Sequence, residues 1–165
     1  MTRHSSDTLR FLPVALDVKG KSCVIVGGGG VGTRKALTLT RAGAVVTVIS
    51  PTVTEELVKQ IEAGRIRWVK DSFREEHLGG AFLVVAATDD EAQNATIVQA
   101  AVQCGALVCD ASSAERSQVI FGALHQGDDA TVAVFTDGRD PALARRTRDR
   151  IAKLLAHERE SNSRP

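Results

Sequence analysis

Short apolar runs alternate with stretches of helical periodicity through much of this chain, and that alternation leaves few folds open. The runs fall at residues 22–26, 45–49, 66–69, 82–86 and 106–109, each of strand length and most rich in Val and Ile. Helical patterns lie between them at about residues 29–42, 52–63 and 91–104. Each of these ends on a glycine (Gly43, Gly64, Gly105), the residue that most readily takes the left-handed backbone closing a helix. Thr52 stands three residues ahead of Glu55, the spacing of a capping box, and Asp89 and Asp90 are natural caps for the third helix. Right-handed crossovers then oblige the strands to lie mostly parallel, with helices on both faces. At 43% hydrophobic and 4% aromatic residues, such a core must be filled by Ala, Val and Leu, as buried parallel strands usually are.

The first strand runs directly into VIVGGGGVG at residues 24–32, which contains G-x-G-x-x-G and opens the first helix. Gly27 permits the tight turn, Gly29 lets the backbone approach a pyrophosphate, and Gly32 lets helix and strand pack closely. The N–H groups of Gly30 and Val31 and the positive end of the helix dipole then face the phosphates. Alone the fingerprint is weak, but the strand before it and the alternation after it supply its context. The reading is an α/β, doubly wound parallel sheet of the dinucleotide-binding type. An acidic residue is usual at the end of the second strand, where it holds the adenosine ribose. Here Ser50 occupies that place and can still bond a hydroxyl, and no arginine follows to welcome a 2′-phosphate, so NAD is expected over NADP. Thr88, at the end of the fourth strand, is expected either to contact the cofactor or to cap the next helix.

After Cys109 the rhythm changes. Residues 119–124 and 131–135 read as strands, the second with the alternation of a half-buried antiparallel strand, and a turn-rich stretch at 125–129 separates them. Asp140 caps a last helix with Pro141 in its first position, and Leu143, Ile151 and Leu154 can share one of its faces. The boundaries expected are a nucleotide-binding domain at 1–112, a strand-and-helix extension at 113–156 and a disordered polar tail at 157–165.

Bulk features narrow the function. A net charge of +1 and a cationic last helix without aromatics give no reason to expect a nucleic-acid partner. No apolar run approaches the roughly 20 residues that span a bilayer, and the polar N-terminus carries no secretory pattern. Cys23, Cys104 and Cys109 form no C-x-x-C pair, and two of them sit in strand-like runs, which fits reduced thiols in a cytoplasmic protein. The histidines His4, His77, His125 and His157 have no metal-ligand spacing, so no metal site is expected.

With those residues placed, the chain resembles the precorrin-2 dehydrogenase family, of the siroheme-synthase N-terminal type. The segments that carry the resemblance are FLPVALDVKG at 11–20, VGGGGVGTRKA at 26–36, AATDD at 86–90 and DGRDPALAR at 137–145. Together they are far more specific than a glycine fingerprint. The resemblance implies oxidation of precorrin-2 to sirohydrochlorin with hydride passing to NAD⁺, in a homodimer built through the C-terminal extension. Some members also insert iron or cobalt. The family usually adds a further helical domain that is not expected in this chain, so metal insertion is left out of the expected activity.

The resemblance also assigns roles. The family commonly carries an acid–base Asp after the fifth strand, and counting back from Val119 that position falls on Ser112, with Asp110 two residues earlier. Neutral serine is a poor general base without a neighbour to take its proton. Ser112, Asp110 or both are therefore expected at the reacting tetrapyrrole, or else positioning alone sustains hydride transfer. The substrate's many carboxylates call for cationic and hydroxyl donors, expected from Arg116, Thr136 and Arg139. Two other readings stand beside this one: a nucleotide- or tetrapyrrole-binding regulatory module without turnover, and a regulatory nucleotide domain of a potassium-transport system. The latter leaves Arg34, Lys35 and Ala36 and the P-A-L-A-R run unexplained.

Overall fold

The computed structural model describes residues 10–128 and 130–162, with side chains to residue 157. His4, Asp129 and residues 163–165 lie outside the described residues. The chain forms two compact units, Ala15–Val119 and the described parts of Met1–Val14 with Ile120–Pro165.

The larger unit is the expected parallel sheet. Its strands are β1 Ser22–Val26, β2 Val45–Ile49, β3 Ile66–Val69, β4 Leu83–Ala86 and β5 Leu107–Asp110, in spatial order β3-β2-β1-β4-β5. Every pairing is parallel, and Val26 at the end of β1 lies level with Ile49 of β2 and Ala86 of β4. That shared level puts the three strand ends, and the loops leaving them, at one edge of the sheet. The helices are α1 Gly30–Arg41, α2 Glu55–Glu62 and α3 Glu91–Gln103, with a 3₁₀ turn at Glu75–Leu78 that the sequence did not suggest. The closing glycines Gly43, Gly64 and Gly105 all have positive φ, at 82°, 68° and 74°. On one face of the sheet Val24, Val26, Ile49, Val84 and Val108 pack with Ile97, Ala101 and Leu78. Fully buried side chains such as Ile97 and Leu78 contribute roughly 1.5–3 kcal/mol each.

The second helix begins later than expected. Thr54, not Thr52, is its cap, accepting from the Leu57 N–H at 3.3 Å. Residues 51–53 are drawn away because the Thr54 N–H donates to the Gly28 carbonyl at 3.1 Å, seating this loop on the glycine turn.

In the smaller unit β6 Ala123–Gln126 and β7 Thr131–Val134 pair antiparallel, and α4 Pro141–Asn162 packs against them. Asp140 caps α4 as expected, accepting from the Leu143 N–H at 2.8 Å. Two corrections follow. The strand expected at 119–124 starts only at Ala123, because the Gln118 and Val119 N–H groups both donate to the Val108 carbonyl beside β5. Residues 113–119 therefore stay with the sheet, and the division falls after Val119 rather than after 112. α4 also continues to Asn162, through most of the stretch expected as a disordered polar tail. Leu143 and Leu154 are exposed on α4, while Ala144 is buried. No helix among the described residues is long and apolar enough to cross a membrane. No group of three or more His, Cys, Asp or Glu among them is placed to hold a metal ion.

Candidate functional site

A cleft of about 550 Å³ opens at the edge where β1, β2 and β4 end. The glycine turn forms its floor. Gly27 has φ +117°, and a Cβ there would stand 2.3 Å from the Ala87 carbonyl oxygen. A Cβ on Gly32 would lie 2.0 Å from the Gly27 oxygen, so only glycine lets α1 sit this close to the strand. At Gly29, by contrast, a Cβ would meet nothing within 4 Å; its backbone faces open cleft. The first intrahelical bond of α1 runs from Thr33 N–H to the Gly29 carbonyl, leaving the N–H groups of Gly30, Val31 and Gly32 without helical acceptors. The cap residue, Gly29, has no side chain to satisfy them, and the first turn holds no acid. Such an end fits a phosphate group.

The x position Gly28 is as constrained as the fingerprint glycines, which sequence reasoning missed. A Cβ there would sit 2.1 Å from the Thr52 carbonyl and 3.0 Å from Ser50 Oγ. Ser50 lines the cleft at the end of β2, and its carbonyl accepts from the indole N–H of Trp68 at 2.9 Å. Pro51, Thr52, Ser72 and Phe73 continue that wall. Thr33 and Thr54 hydroxyls meet at 2.8 Å and tie α1 to the start of α2.

The opposite wall is a hydrogen-bonded chain across the ends of β4, α3 and β5. Thr88 and Ser112 both line the cleft. Between them Asn94, fully buried, accepts from the Thr88 N–H at 3.0 Å and hydroxyl at 2.7 Å, and donates to the Thr88 carbonyl at 3.1 Å and to Ser112 Oγ at 3.2 Å. The Ser112 hydroxyl donates to Asp110 Oδ1 at 2.6 Å, and the Ser112 N–H reaches the same oxygen at 2.8 Å. Asp110 Oδ2 accepts from Arg116 Nε at 2.6 Å. Burial pushes the Asp110 carboxyl up, but the bonds from Ser112 and Arg116 outweigh it and hold it below the ordinary carboxylate range. Asp110 is thus an ionised, buried carboxylate directly behind Ser112.

Sequence reasoning overlooked Asn94, although a signal was present. Ile97, Val98 and Ala101, three, four and seven residues on, are all buried, so an amide stands on the apolar face of α3. Arg116, expected to meet substrate carboxylates, is turned onto the protein instead. Besides Asp110 it donates to Glu91 at 3.2 Å and to Ser112 Oγ at 3.3 Å. Thr136 and Arg139 belong to the smaller unit and have local partners. The Thr136 hydroxyl donates to the Asp140 carbonyl at 2.9 Å, and Arg139 pairs with Asp137 at 3.2 Å. Gly27, Gly29, Gly30, Val31, Ser50, Thr88 and Ser112 are brought to the one cleft, with Gly32 packed beneath its floor.

Residues 14–123 match the model of a family described as "Putative NAD(P)-binding". The solved structure of SirC, a precorrin-2 dehydrogenase, superimposes with a TM-score of 0.77 and 31% identity, over 87% of this chain and 71% of that one. This chain belongs to that NAD(P)-binding, precorrin-2 dehydrogenase family. Two curated relatives agree. Siroheme synthase 1 of Pectobacterium atrosepticum is 37% identical over 147 residues, which is 89% of this chain and 31% of that protein. The siroheme synthase of Photobacterium profundum is 39% identical over 145 residues, 88% of this chain and 31% of its own length. The chain therefore spans about a third, 31%, of these curated relatives.

Proposed function

We propose that this chain oxidises precorrin-2 to sirohydrochlorin, with NAD⁺ held on the glycine turn. The observation that carries the reading is the cleft itself, which joins an anion-binding helix end to a wall bearing Ser112 above a buried carboxylate. The dehydrogenation removes one hydride and one proton from the tetrapyrrole. NAD⁺ supplies the two-electron acceptor. The backbone of Gly29, Gly30, Val31 and Gly32 binds its pyrophosphate, Ser50 meets a ribose hydroxyl, and Thr88 lines the nicotinamide side. With no Lys or Arg among the residues that line the cleft beside Ser50 to receive a 2′-phosphate, NAD⁺ is expected to bind more tightly than NADP⁺ in direct titration.

Ser112 is assigned to the tetrapyrrole. Its hydroxyl hydrogen is directed at Asp110, so a proton taken up by its oxygen must displace that hydrogen onto a carboxyl whose pKa is depressed. At neutral pH this makes the pair a weak base, and the rate rests mainly on orientation, with water the final proton acceptor. Asp110 and Arg116 then hold Ser112, while Thr136 and Arg139 are proposed to meet substrate carboxylates. Homodimerisation through the smaller unit is supported by the two open edges of its β6–β7 pair and by exposed Leu124, Leu143 and Leu154. A cytoplasmic location is part of the same reading.

Anaerobic NADH formation from purified protein, NAD⁺ and precorrin-2 tests it, with Ser112→Ala and Asp110→Asn alongside. Turnover in the wild type that is reduced but not abolished by Ser112→Ala is expected. Absence of wild-type turnover despite NAD⁺ binding overturns the enzyme reading and leaves a binding module.

A further inference from the structure

We infer that Asn94 is a positioning residue that sets the hydroxyls of Thr88 and Ser112 in one fixed relation along one wall of the cleft, and that hydride transfer depends on that relation. The inference rests on the dehydrogenase reading above. Asn94 itself is fully buried and does not line the cleft. Its amide is used completely: the oxygen accepts twice from Thr88, and the two hydrogens go to the Thr88 carbonyl and to Ser112 Oγ. Turning the amide over would set its NH₂ against the Thr88 N–H, donor against donor, so its orientation is locked.

Each hydroxyl is fixed in turn. Ser112 Oγ gives its hydrogen to Asp110 and accepts from Asn94 and from Arg116 Nη2. The Thr88 hydroxyl gives its single hydrogen to Asn94 Oδ1 at 2.7 Å, the shorter of its two acceptor contacts, the Asp90 carbonyl being the alternative at 3.0 Å, and accepts from the Asp90 N–H at 3.3 Å. Thr88 and Ser112 have no direct hydrogen bond to one another among the described residues; the buried amide is what joins them. Both stand on the same wall, and the proposed function assigns Thr88 to the nicotinamide and its neighbour Ser112 to the tetrapyrrole. A hydride donor and acceptor must be held near contact distance with little angular freedom, so this link is placed where a small displacement is costly.

The test uses the full chain with NAD⁺ and precorrin-2. Asn94→Asp keeps the size and loses both donated bonds; Asn94→Ser is the second variant. Both are expected to lower kcat by about tenfold to a hundredfold, while the dissociation constant for NAD⁺, set by the glycine turn, moves within about threefold. In the wild-type background, Thr88→Val and Ser112→Ala are expected to be non-additive in kcat by about fivefold or more, and additive once Asn94→Asp is present. A merely structural asparagine would lower the unfolding temperature but leave those two losses additive. Unchanged kcat in Asn94→Asp, or additive losses with Asn94 intact, overturns the inference while leaving the dehydrogenase standing. Should the Asn94 variants fail to fold, the Thr88 and Ser112 cycle decides alone. No wild-type NADH formation removes the dehydrogenase reading and this inference with it.

Discussion

Asp110→Asn is expected to destabilise the larger unit in a way that fades in acid. In the native protein Oδ1 accepts two bonds from Ser112 and Oδ2 accepts one from Arg116 Nε, and the carboxylate side chain has no exposure at all. An amide can satisfy only one side. With its oxygen toward Ser112, the NH₂ faces Arg116 Nε; reversed, two Ser112 donors lose their acceptor. The first orientation is cheaper and removes one charge-assisted bond, on the scale of 1.5–3 kcal/mol, roughly. Arg116 is 31% exposed and can turn to water or Glu91, which trims that figure. The remaining Ser112 bonds weaken from charged to neutral, so the total is about 2–3 kcal/mol. For a chain of this size that corresponds to a fall in Tm of about 5–10 °C.

The pH dependence carries a sign. Asp110 has a folded pKa below the unfolded value of about 3.9, so its contribution is complete above roughly pH 5 and is lost as pH falls through the folded value. Calorimetric unfolding of both proteins from about pH 7 to about pH 3 should show the gap narrowing toward acid. A variant within about 1 °C of wild type at neutral pH, or a gap that does not change in acid, refutes the argument.

Other perturbations read different parts of the structure. Gly32→Ala puts a Cβ 2.0 Å from the Gly27 oxygen, and NAD⁺ affinity by titration should fall by at least about tenfold as α1 is displaced. An unchanged dissociation constant would mean that the turn relaxes without loss. Trp68 is the single tryptophan of the chain and its N–H holds the Ser50 carbonyl, so NAD⁺ should alter its fluorescence; a silent titration at saturation counts against a ribose site beside Ser50. Among the cysteines, Cys104 is exposed while Cys23 and Cys109 are buried, and burial pushes the Cys23 thiol up to about 11. A thiol reagent should therefore label Cys104 alone in the native protein and the other two only on unfolding, as mass spectrometry of the labelled chain will read.

The parts of the fold legible in the sequence are those whose cause is local. β1 and β2 coincide with their apolar runs because strands covered on both faces are apolar at nearly every position, the edge strand β3 keeps its run although Arg67 is exposed, and the end glycines mark where helices must stop. The glycine turn was legible for the same reason. What escaped depends on contacts far apart in sequence. Thr52 loses the cap of α2 to Thr54 because Gly28 accepts the Thr54 N–H, and the strand expected at 119–124 yields its first residues to the edge of β5. Arg116 was visible as a cation, but only the folded backbone shows that Asp110 and Glu91 claim it. Asn94 could have been found by its place on an apolar helix face; its partners could not.

The seating of the β2–α2 loop on Gly28 bears on how this scaffold could be re-engineered. Thr54 hydrogen-bonds the glycine turn, and any side chain at Gly28 would strike Thr52, so the Ser50 wall and the glycine turn move as one piece. On the proposed function, a designer who opens the loop around Ser50, Pro51 and Thr52 to admit a 2′-phosphate also disturbs the glycine-turn backbone proposed to hold the pyrophosphate. Cofactor preference and cofactor affinity are therefore mechanically linked here, and a switch to NADP⁺ would have to be sought in both loops at once.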